Sequence, residues 1–230
     1  MPYQLNLGRD WTVRMKHSAL AGALILFAGL AQAQETPACG SLKNHYGPFD
    51  YRTASQQQKS LVENTHFTPL IENLMKGGRD NPFADDISYT LNVFPNHHRA
   101  LITMQRLADR EKVDKPALAH WTMACYYDRA TRFQPDDPII RMLFAGYLIQ
   151  KGRLEDATQQ LDVAIKLAGD NPFTHFNVGL VFLDMKNYDR AVAQAHRAAE
   201  LGFTRPELKD RLVAAGKWAE PAAEAEVKKP

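Results

Sequence analysis

Histidine is the residue type of this chain best suited to bind a metal ion or to transfer a proton. His97 and His98 are adjacent, and neighbouring side chains on a helix point about 100° apart, so these two cannot share a metal ion as an i, i+4 pair does. Both follow Asn96, a typical helix cap, which predicts one packed and one exposed histidine in a first turn. Three further histidines lie in predicted helices, and none has a cysteine or carboxylate at the sequence spacing of metal ligands: His120, His175 and His196. A metal site would have to be assembled across helices, and we predict no metal and no cofactor.

Motifs of catalytic and phosphate-binding sites are not found in the sequence. It contains no G-x-S-x-G, H-E-x-x-H, C-x-x-C or phosphate-binding glycine loop. Residues typical of a turn follow the glycine pair Gly77-Gly78. The acidic pairs Asp85-Asp86 and Asp136-Asp137 lie at predicted helix starts, where they stabilise the positive end of the helix dipole. We predict no catalytic residues and no enzymatic activity, although a triad assembled from distant residues would leave no such motif.

Two cysteines, Cys39 and Cys125, allow one disulfide or two free thiols. In an oxidising compartment an even number of cysteines favours the disulfide, which would tie the N-terminal segment to a distant helix. In the alternative both thiols are unpaired and Cys125 is a small buried side chain. The sequence leaves both open.

The N-terminal segment predicts export. Arg14 and Lys16 precede an uncharged run over residues 18–30, SALAGALILFAGL, and the small residues of Ala31-Gln32-Ala33 follow it. This order is typical of a cleaved signal peptide, and the run is shorter than the ~20 residues that span a bilayer. We predict a signal peptide over 1–33, cut after Ala33, and a periplasmic or secreted protein. An uncleaved anchor is the alternative, and Met15 is an alternative start.

Charge and hydropathy exclude several classes of partner. The full chain has 28 basic and 26 acidic residues, and removal of residues 1–33 leaves 25 of each. Nucleic acids and anionic membranes call for a basic surface, so we predict no nucleic-acid partner. No segment after the signal is long and apolar enough to span a membrane.

A 34-residue register runs through the second half of the chain and indicates a helical repeat. Each unit combines a capping residue and proline at the start of one helix, a turn, and small residues on a second helix where the two approach closely. The predicted helices cover 139–151, 154–167, 173–186 and 188–201. Positions recur at this spacing in four columns: Pro138, Pro172 and Pro206; Ala130, Ala164 and Ala198; Phe133, Leu167 and Leu201; Ala157 and Ala191.

Two segments carry a family resemblance. Residues 144–172 read FAGYLIQKGRLEDATQQLDVAIKLAGDNP, and residues 177–203 read NVGLVFLDMKNYDRAVAQAHRAAELGF. They resemble the tetratricopeptide repeat (TPR) family in their small, bulky and alanine positions. The resemblance implies an all-α, TPR-like helical-hairpin solenoid with additional N-terminal helices. Its units would be 138–171 and 172–205, after a degenerate unit over 96–137 with helices at 96–110 and 116–133.

Other segments flank these units. Residues 34–52 predict an extended strap, and residues 53–95 predict helices over 53–63, 68–76 and 83–93. A capping helix over 206–217 has a polar outer face, as the end of a solenoid requires. We predict a flexible tail over 218–230.

The resemblance implies a concave groove lined by the first helix of each unit. Exposed apolar surface of this kind is uncommon on monomers, so a partner's helix or extended segment, or the chain's own strap or tail, is expected to cover it. Asn177 alone matches the family's clamp for a free C-terminus, so we do not expect recognition of that group. Carried over by position, the groove residues are Ile139, Met142, Gly146, Ile149, Phe173, Phe176, Leu180 and Leu183, with Arg99, Ile102, Arg106 and Asp109 from the degenerate unit.

The leading hypothesis is a non-catalytic exported TPR scaffold that binds a protein partner in the cell envelope. Arg99 and Arg106 would select an acidic neighbour. In the alternative, the N-terminal half binds a sugar or another metabolite, or is an enzyme, and the repeats support it. A homo-oligomer through the degenerate unit is a third hypothesis. The N-terminal pocket would use Tyr46, Phe49, Tyr51, His66 and His97.

Overall fold

The computed structural model describes residues 38–75 and 83–220, so the predicted signal peptide and the Gly77-Gly78 turn lie outside the described residues. The described ranges contain ten α-helices and no strand, which confirms the predicted all-α class. No helix in these ranges has both the length and the apolar character needed to cross a membrane. The helices are α1 (Gln56–His66), α2 (Pro69–Glu72), α3 (Phe83–Val93), α4 (His98–Glu111), α5 (Met123–Phe133), α6 (Pro138–Gln150), α7 (Leu154–Ala168), α8 (Pro172–Asp184), α9 (Tyr188–Glu200) and α10 (Glu207–Ala214).

The three prolines of the 34-residue register each mark a helix start. Pro138 and Pro172 are the first residues of α6 and α8, and Pro206 directly precedes α10. The caps form as predicted. Asp137 accepts hydrogen bonds from the backbone N–H groups of the second and third residues of α6, at 3.0 and 3.3 Å, and Asn171 caps α8 in the same way at 3.2 Å.

Adjacent helices of the repeats pack as hairpins. α6 lies along α7, α8 lies along α9, and α10 packs on both α8 and α9. Because a Cβ at Gly179 would come within 2.4 Å of Leu208 Cδ2, only glycine lets α10 approach α8 this closely. The alanines predicted at the close contacts are buried: Ala157, Ala164, Ala191 and Ala198.

The strap crosses α5. The Sγ atoms of Cys39 and Cys125 lie at the disulfide distance of 2.08 Å, so of the two alternatives left by the sequence the structure has the bridge. The buried guanidinium of Arg129 donates hydrogen bonds to the carbonyl oxygens of Cys39 at 3.1 Å and Ser41 at 2.7 Å. The strap therefore rests on α5 at Cys39 and Ser41, and further along it reaches the starts of α4 and α6, where the Tyr51 N–H donates to Asn96 at 2.9 Å and Arg52 pairs with Asp136 at 3.0 Å.

Two predicted helices in the N-terminal half are shorter in the structure. α5 begins at Met123 instead of residue 116, because Leu118 takes a left-handed conformation (φ 63°) and the Thr122 side chain caps the helix by accepting from the Cys125 N–H at 3.3 Å. α2 ends at Glu72 instead of residue 76, and Leu74 after it also has a positive φ of 52°. In both places a left-handed residue ends or prevents the helix.

The start of the predicted tail is attached to the repeats. The Trp218 ring lies 4.6 Å from the His196 ring, and Lys209 Nζ lies 4.6 Å from the centre of the same indole. His196 Nε2 also donates to the carbonyl oxygen of Ala219 at 2.8 Å. Residues 218–220 thus pack on α9 and α10, and residues 221–230 lie outside the described residues.

Candidate functional site

α4, α6 and α8, the first helices of three successive pairs, line a cavity of about 630 Å³, which we call the groove. Much of its lining is aliphatic or aromatic, with polar side chains mainly from α4. Of the residues predicted to line it, the groove contains Ile102, Arg106, Asp109, Ile139, Met142, Gly146, Phe173, Asn177 and Leu180.

Three predicted groove residues lie elsewhere. Phe176 is only 3% exposed and packs its ring 4.7 Å from that of Phe203, because the chain after α9 folds back over α8. Leu183, 7% exposed, belongs to the main core, and Ile149 packs against that core. The prediction that these side chains line the groove is wrong.

Arg99, which with Arg106 was predicted to line the groove and select an acidic neighbour, also lies outside the groove. Its guanidinium forms a two-pronged ion pair with Glu72, with Nε donating to Oε1 at 2.6 Å and Nη2 donating to Oε2. The pair raises the pKa of Arg99 and lowers that of Glu72, in each case chiefly through this hydrogen bonding. Arg99 joins α4 to α2 and has its carboxylate partner already.

Four groove residues were not predicted, and three of them follow a predicted residue by one helical turn. Leu143, Gln150 and Val181 come four residues after Ile139, Gly146 and Asn177, so extension of the helical spacing would have found them. The fourth, Gln105, donates from Nε2 to Gln150 Oε1 at 3.0 Å and accepts from the buried Tyr127 hydroxyl, so it bridges α4 and α6.

The floor of the groove leaves large apolar side chains in contact with solvent. Phe173 is 50% exposed, and Ile102, on the opposite wall, is 41% exposed. No residue of the described strap (38–52) or of residues 218–220 lines the groove. Within the part of the chain that the structure describes, nothing covers this apolar surface.

Arg106 gives the groove an available positive charge. The side chain is exposed, and no carboxylate of the described residues forms an ion pair with it. Arg106 is near enough to Glu72 to help lower the pKa of that carboxyl, but only Arg99 forms an ion pair with it. An arginine without a carboxylate partner at the edge of an apolar groove favours an occupant with negative charge.

The aromatic residues proposed for an N-terminal pocket pack on one another. Tyr46 and Phe49 meet edge to face at 5.1 Å, and Tyr51 meets Phe94 at 5.6 Å. Together with Val62 they form a second, smaller apolar cluster. These strap side chains thus pack into a small core with Val62, Val93 and Phe94.

The buried His97 is the actual cap of α4, in place of the predicted Asn96. Its Nδ1 accepts from the Ala100 N–H at 3.1 Å, so the proton is on Nε2, which donates to Glu63 Oε1 at 3.1 Å. The ring stacks on Tyr51 with centroids 3.9 Å apart. Burial, only partly opposed by Glu63, lowers the pKa of His97 to about 4, so the imidazole is neutral at pH 7 and acts in packing.

The other histidines at this end also have protein partners. His98 Nε2 lies 2.8 Å from the Oδ2 atom of Asp137, and His66 Nδ1 lies 2.8 Å from the Oδ1 atom of Asp86. Asn96, which was predicted to cap α4, instead accepts from the Tyr51 N–H at 2.9 Å. Within residues 38–75 and 83–220 no three His, Cys, Asp or Glu side chains are placed to hold a metal ion.

No protein-family model matches the chain, and no curated protein is significantly similar to it. The groove combines an exposed apolar floor, a cation without a carboxylate partner and a bridged pair of carboxamides. These features can bind a polypeptide segment by apolar contact, charge and hydrogen bonding.

Proposed function

We propose that the protein is a non-catalytic TPR-type adaptor that holds a segment of another protein in the groove between α4, α6 and α8. The single observation that carries this proposal is the solvent-exposed apolar floor, with Phe173 half exposed opposite Ile102. Covering a half-exposed phenylalanine contributes about 1 kcal/mol, and several such side chains together sustain a specific interaction.

The placement of the strap supports an open groove. The strap is fastened to α5 by the Cys39–Cys125 bridge and by Arg129, and none of its described residues lines the groove. A groove that residues 38–75 and 83–220 leave uncovered is available to a partner without prior displacement of the described strap. The stacked hairpins then act as a rigid frame that presents preformed contacts.

The proposal includes export to the cell envelope or the medium. The predicted signal over residues 1–33 supports it, as does a cysteine pair at disulfide distance, because such bridges persist in oxidising compartments. Fractionation of producing cells should give a periplasmic or secreted species whose intact mass corresponds to a chain that begins at Gln34. A cytoplasmic species that retains residues 1–33 would contradict this part of the proposal.

The binding role is tested by Phe173→Glu compared with Leu167→Glu. Leu167 is 36% exposed on α7 and does not line the groove, so the control places the same charge on an apolar surface residue elsewhere. Proteins that co-purify with each variant from the envelope and secreted fractions are quantified by mass spectrometry. We expect a partner retained by wild type and Leu167→Glu and lost by Phe173→Glu, with equal helicity by circular dichroism. Equal recovery of every protein by the two variants would contradict the proposal.

A further inference from the structure

The geometry points to the conformation and chemistry of the partner segment, on the basis of the proposed function. We propose that a non-helical, extended segment crosses the groove with its main chain over Gly146. One acidic side chain of the segment pairs with Arg106, and an apolar side chain further along rests on Leu180 and Phe173.

No described residue packs closely enough on Gly146 to require a glycine there. It lies in the interior of α6, where glycine costs about 1 kcal/mol relative to alanine, and a Cβ added there would have no atom within 4 Å. Gly179, in contrast, is required by Leu208. Because Gly146 lines the groove, the missing side chain leaves space at the floor, where an occupant's backbone can approach closely.

Corresponding positions of the three helices form a row across the groove. Arg106, Gly146 and Leu180 are the ninth residues of α4, α6 and α8, and all three line the groove. Packed helices lie about 8–10 Å apart, so the row is about 16–20 Å long. An extended chain covers that distance with about five or six residues. The row thus presents a cation, a gap and an apolar contact in this order.

The carboxamide pair supplies a donor for the main chain of the segment. Gln150 Oε1 is engaged by Gln105 Nε2 at 3.0 Å, whereas Gln150 Nε2 donates to no described residue. Gln150 lies one turn after Gly146 on the same face of α6. A helical occupant has its peptide groups bonded internally, but an extended segment has free carbonyl groups that accept from such an amide.

The charges in the groove limit the segment to one acidic residue. Arg106 is exposed and has no ion pair with a described residue, and its guanidinium suits a carboxylate. Asp109 lies almost one turn further along α4 and also lines the groove, so a second carboxylate beside the first would be repelled.

The test uses the full processed protein and a positional-scanning library of N-acetylated, C-amidated heptapeptides, with fluorescence polarisation of labelled hits. We expect selection of one Asp or Glu near one end and of Leu, Val or Phe about five positions away. Gly146→Ala should weaken binding of the best peptide at least tenfold while the melting temperature stays equal or rises. The matched control Thr158→Ala changes a half-buried helical residue of α7 that does not line the groove and should leave binding unchanged. Arg106→Glu should change the selected acid to Lys or Arg.

Several results would overturn the inference and leave the proposed function intact. In the first, no heptapeptide binds, although capture of the protein partner is still lost in Phe173→Glu. In the second, a stapled helical peptide binds equally well to wild type and to Gly146→Ala. A crosslink from residues 221–230 to Phe173, or a dimer dispersed by Phe173→Glu, would overturn it by identifying another occupant. Peptide binding that survives Phe173→Glu would count against the proposed function itself.

Discussion

The two halves of the described structure are stabilised by different kinds of polar contact. In the repeats, arginines pair with aspartates 27 or 28 residues earlier, as in Arg197–Asp170 and Arg211–Asp184, and these pairs lie at the surface. In the N-terminal half, the buried polar side chains Asn96, His97 and Arg129 have partners up to 90 residues away. The repeats also bury His175, but its partners Gly169 and Gln194 are only 6 and 19 residues away.

The difference shows where each half is sensitive to substitution. Hairpins that stack on their neighbours draw their stability from local apolar packing, and exposed ion pairs add about 0–1 kcal/mol each. A buried polar network loses more when one member is removed, because its partners stay buried without a hydrogen bond. We expect the strap and α3–α5 to respond to changes of charge, and the repeats to changes of volume.

Loss of the disulfide should give the largest effect. A bridge that closes a loop of this length contributes about 4.6 kcal/mol in the chain-entropy model, so Cys39→Ser with Cys125→Ser should lower the free energy of unfolding by that order. Hydrogen–deuterium exchange should increase over residues 38–52 and change little over α6–α9. Wild type under reducing conditions is the matched control. A uniform rise in exchange along the chain would show that the two halves are one cooperative unit.

Acidification should destabilise the N-terminal half through His97. Its folded pKa of about 4 lies below the ordinary value of 6.5, so at intermediate pH the unfolded chain takes up a proton that the folded chain does not. The contribution is complete above about pH 7 and is lost as the pH falls to 4, by about 3 kcal/mol. Urea unfolding at pH 4 to 7 measures it.

The variant His97→Gln should have a shallower pH dependence than wild type over this range, whatever its absolute stability. His196→Gln is the control, because His196 is located at the surface of the repeats. If His97→Gln keeps the full pH dependence of wild type, the burial of a neutral imidazole is not its source.

Substitution of one buried and one exposed arginine compares how strongly polar contacts stabilise the two halves. Arg129→Met leaves two strap carbonyl groups without their donor and should cost about 2 kcal/mol, whereas Arg197→Met removes an exposed ion pair and should cost about 0.5 kcal/mol. Both variants are compared with wild type by thermal and urea unfolding. Equal costs would remove the distinction drawn between the two halves.

Substitution of two glycines by alanine tests how the stability of the repeats responds to added side-chain volume, and the two changes in stability should have opposite signs. Gly179→Ala gains about 1 kcal/mol of helix propensity but must displace Leu208, an overpacking cost of about 2 kcal/mol, so the net loss is about 1 kcal/mol. Gly146→Ala meets open space and should gain about 1 kcal/mol. Melting temperatures measure both, and a loss of stability in Gly146→Ala would show that its Cβ is not free.

The sequence predicts the repeats well because their signals are local. Asp137, Asn171 and Asn187 cap α6, α8 and α9, and the predicted helices agree with the observed ones within about two residues at each end. The N-terminal half depends on contacts between residues far apart, such as Arg129 with the strap. Only the possible Cys39–Cys125 disulfide indicated a contact between the strap and α5, and no local signal predicts the hydrogen bonds of Arg129 to the strap.

The sequence predicted which helices line the groove, but only some of the residues that line it. Helical spacing places Met142 and Phe173 on the lining face, but it cannot show that the segment after α9 folds back and buries Phe176 against Phe203. It also cannot show that Glu72 takes up the charge of Arg99. A Phe176→Glu substitution would therefore test the core, and Phe173 is the appropriate position for a test of binding.

In-cell photo-crosslinking tests the central claim, that the groove is the surface that holds a partner. A photoreactive benzoyl-phenylalanine replaces Phe173 in one strain and Leu167 in another, since both side chains are exposed but only Phe173 lines the groove. After irradiation of intact cells, we predict a discrete adduct with another protein from position 173 and none from position 167. No adduct from position 173, or the same adducts from both positions, would contradict the claim.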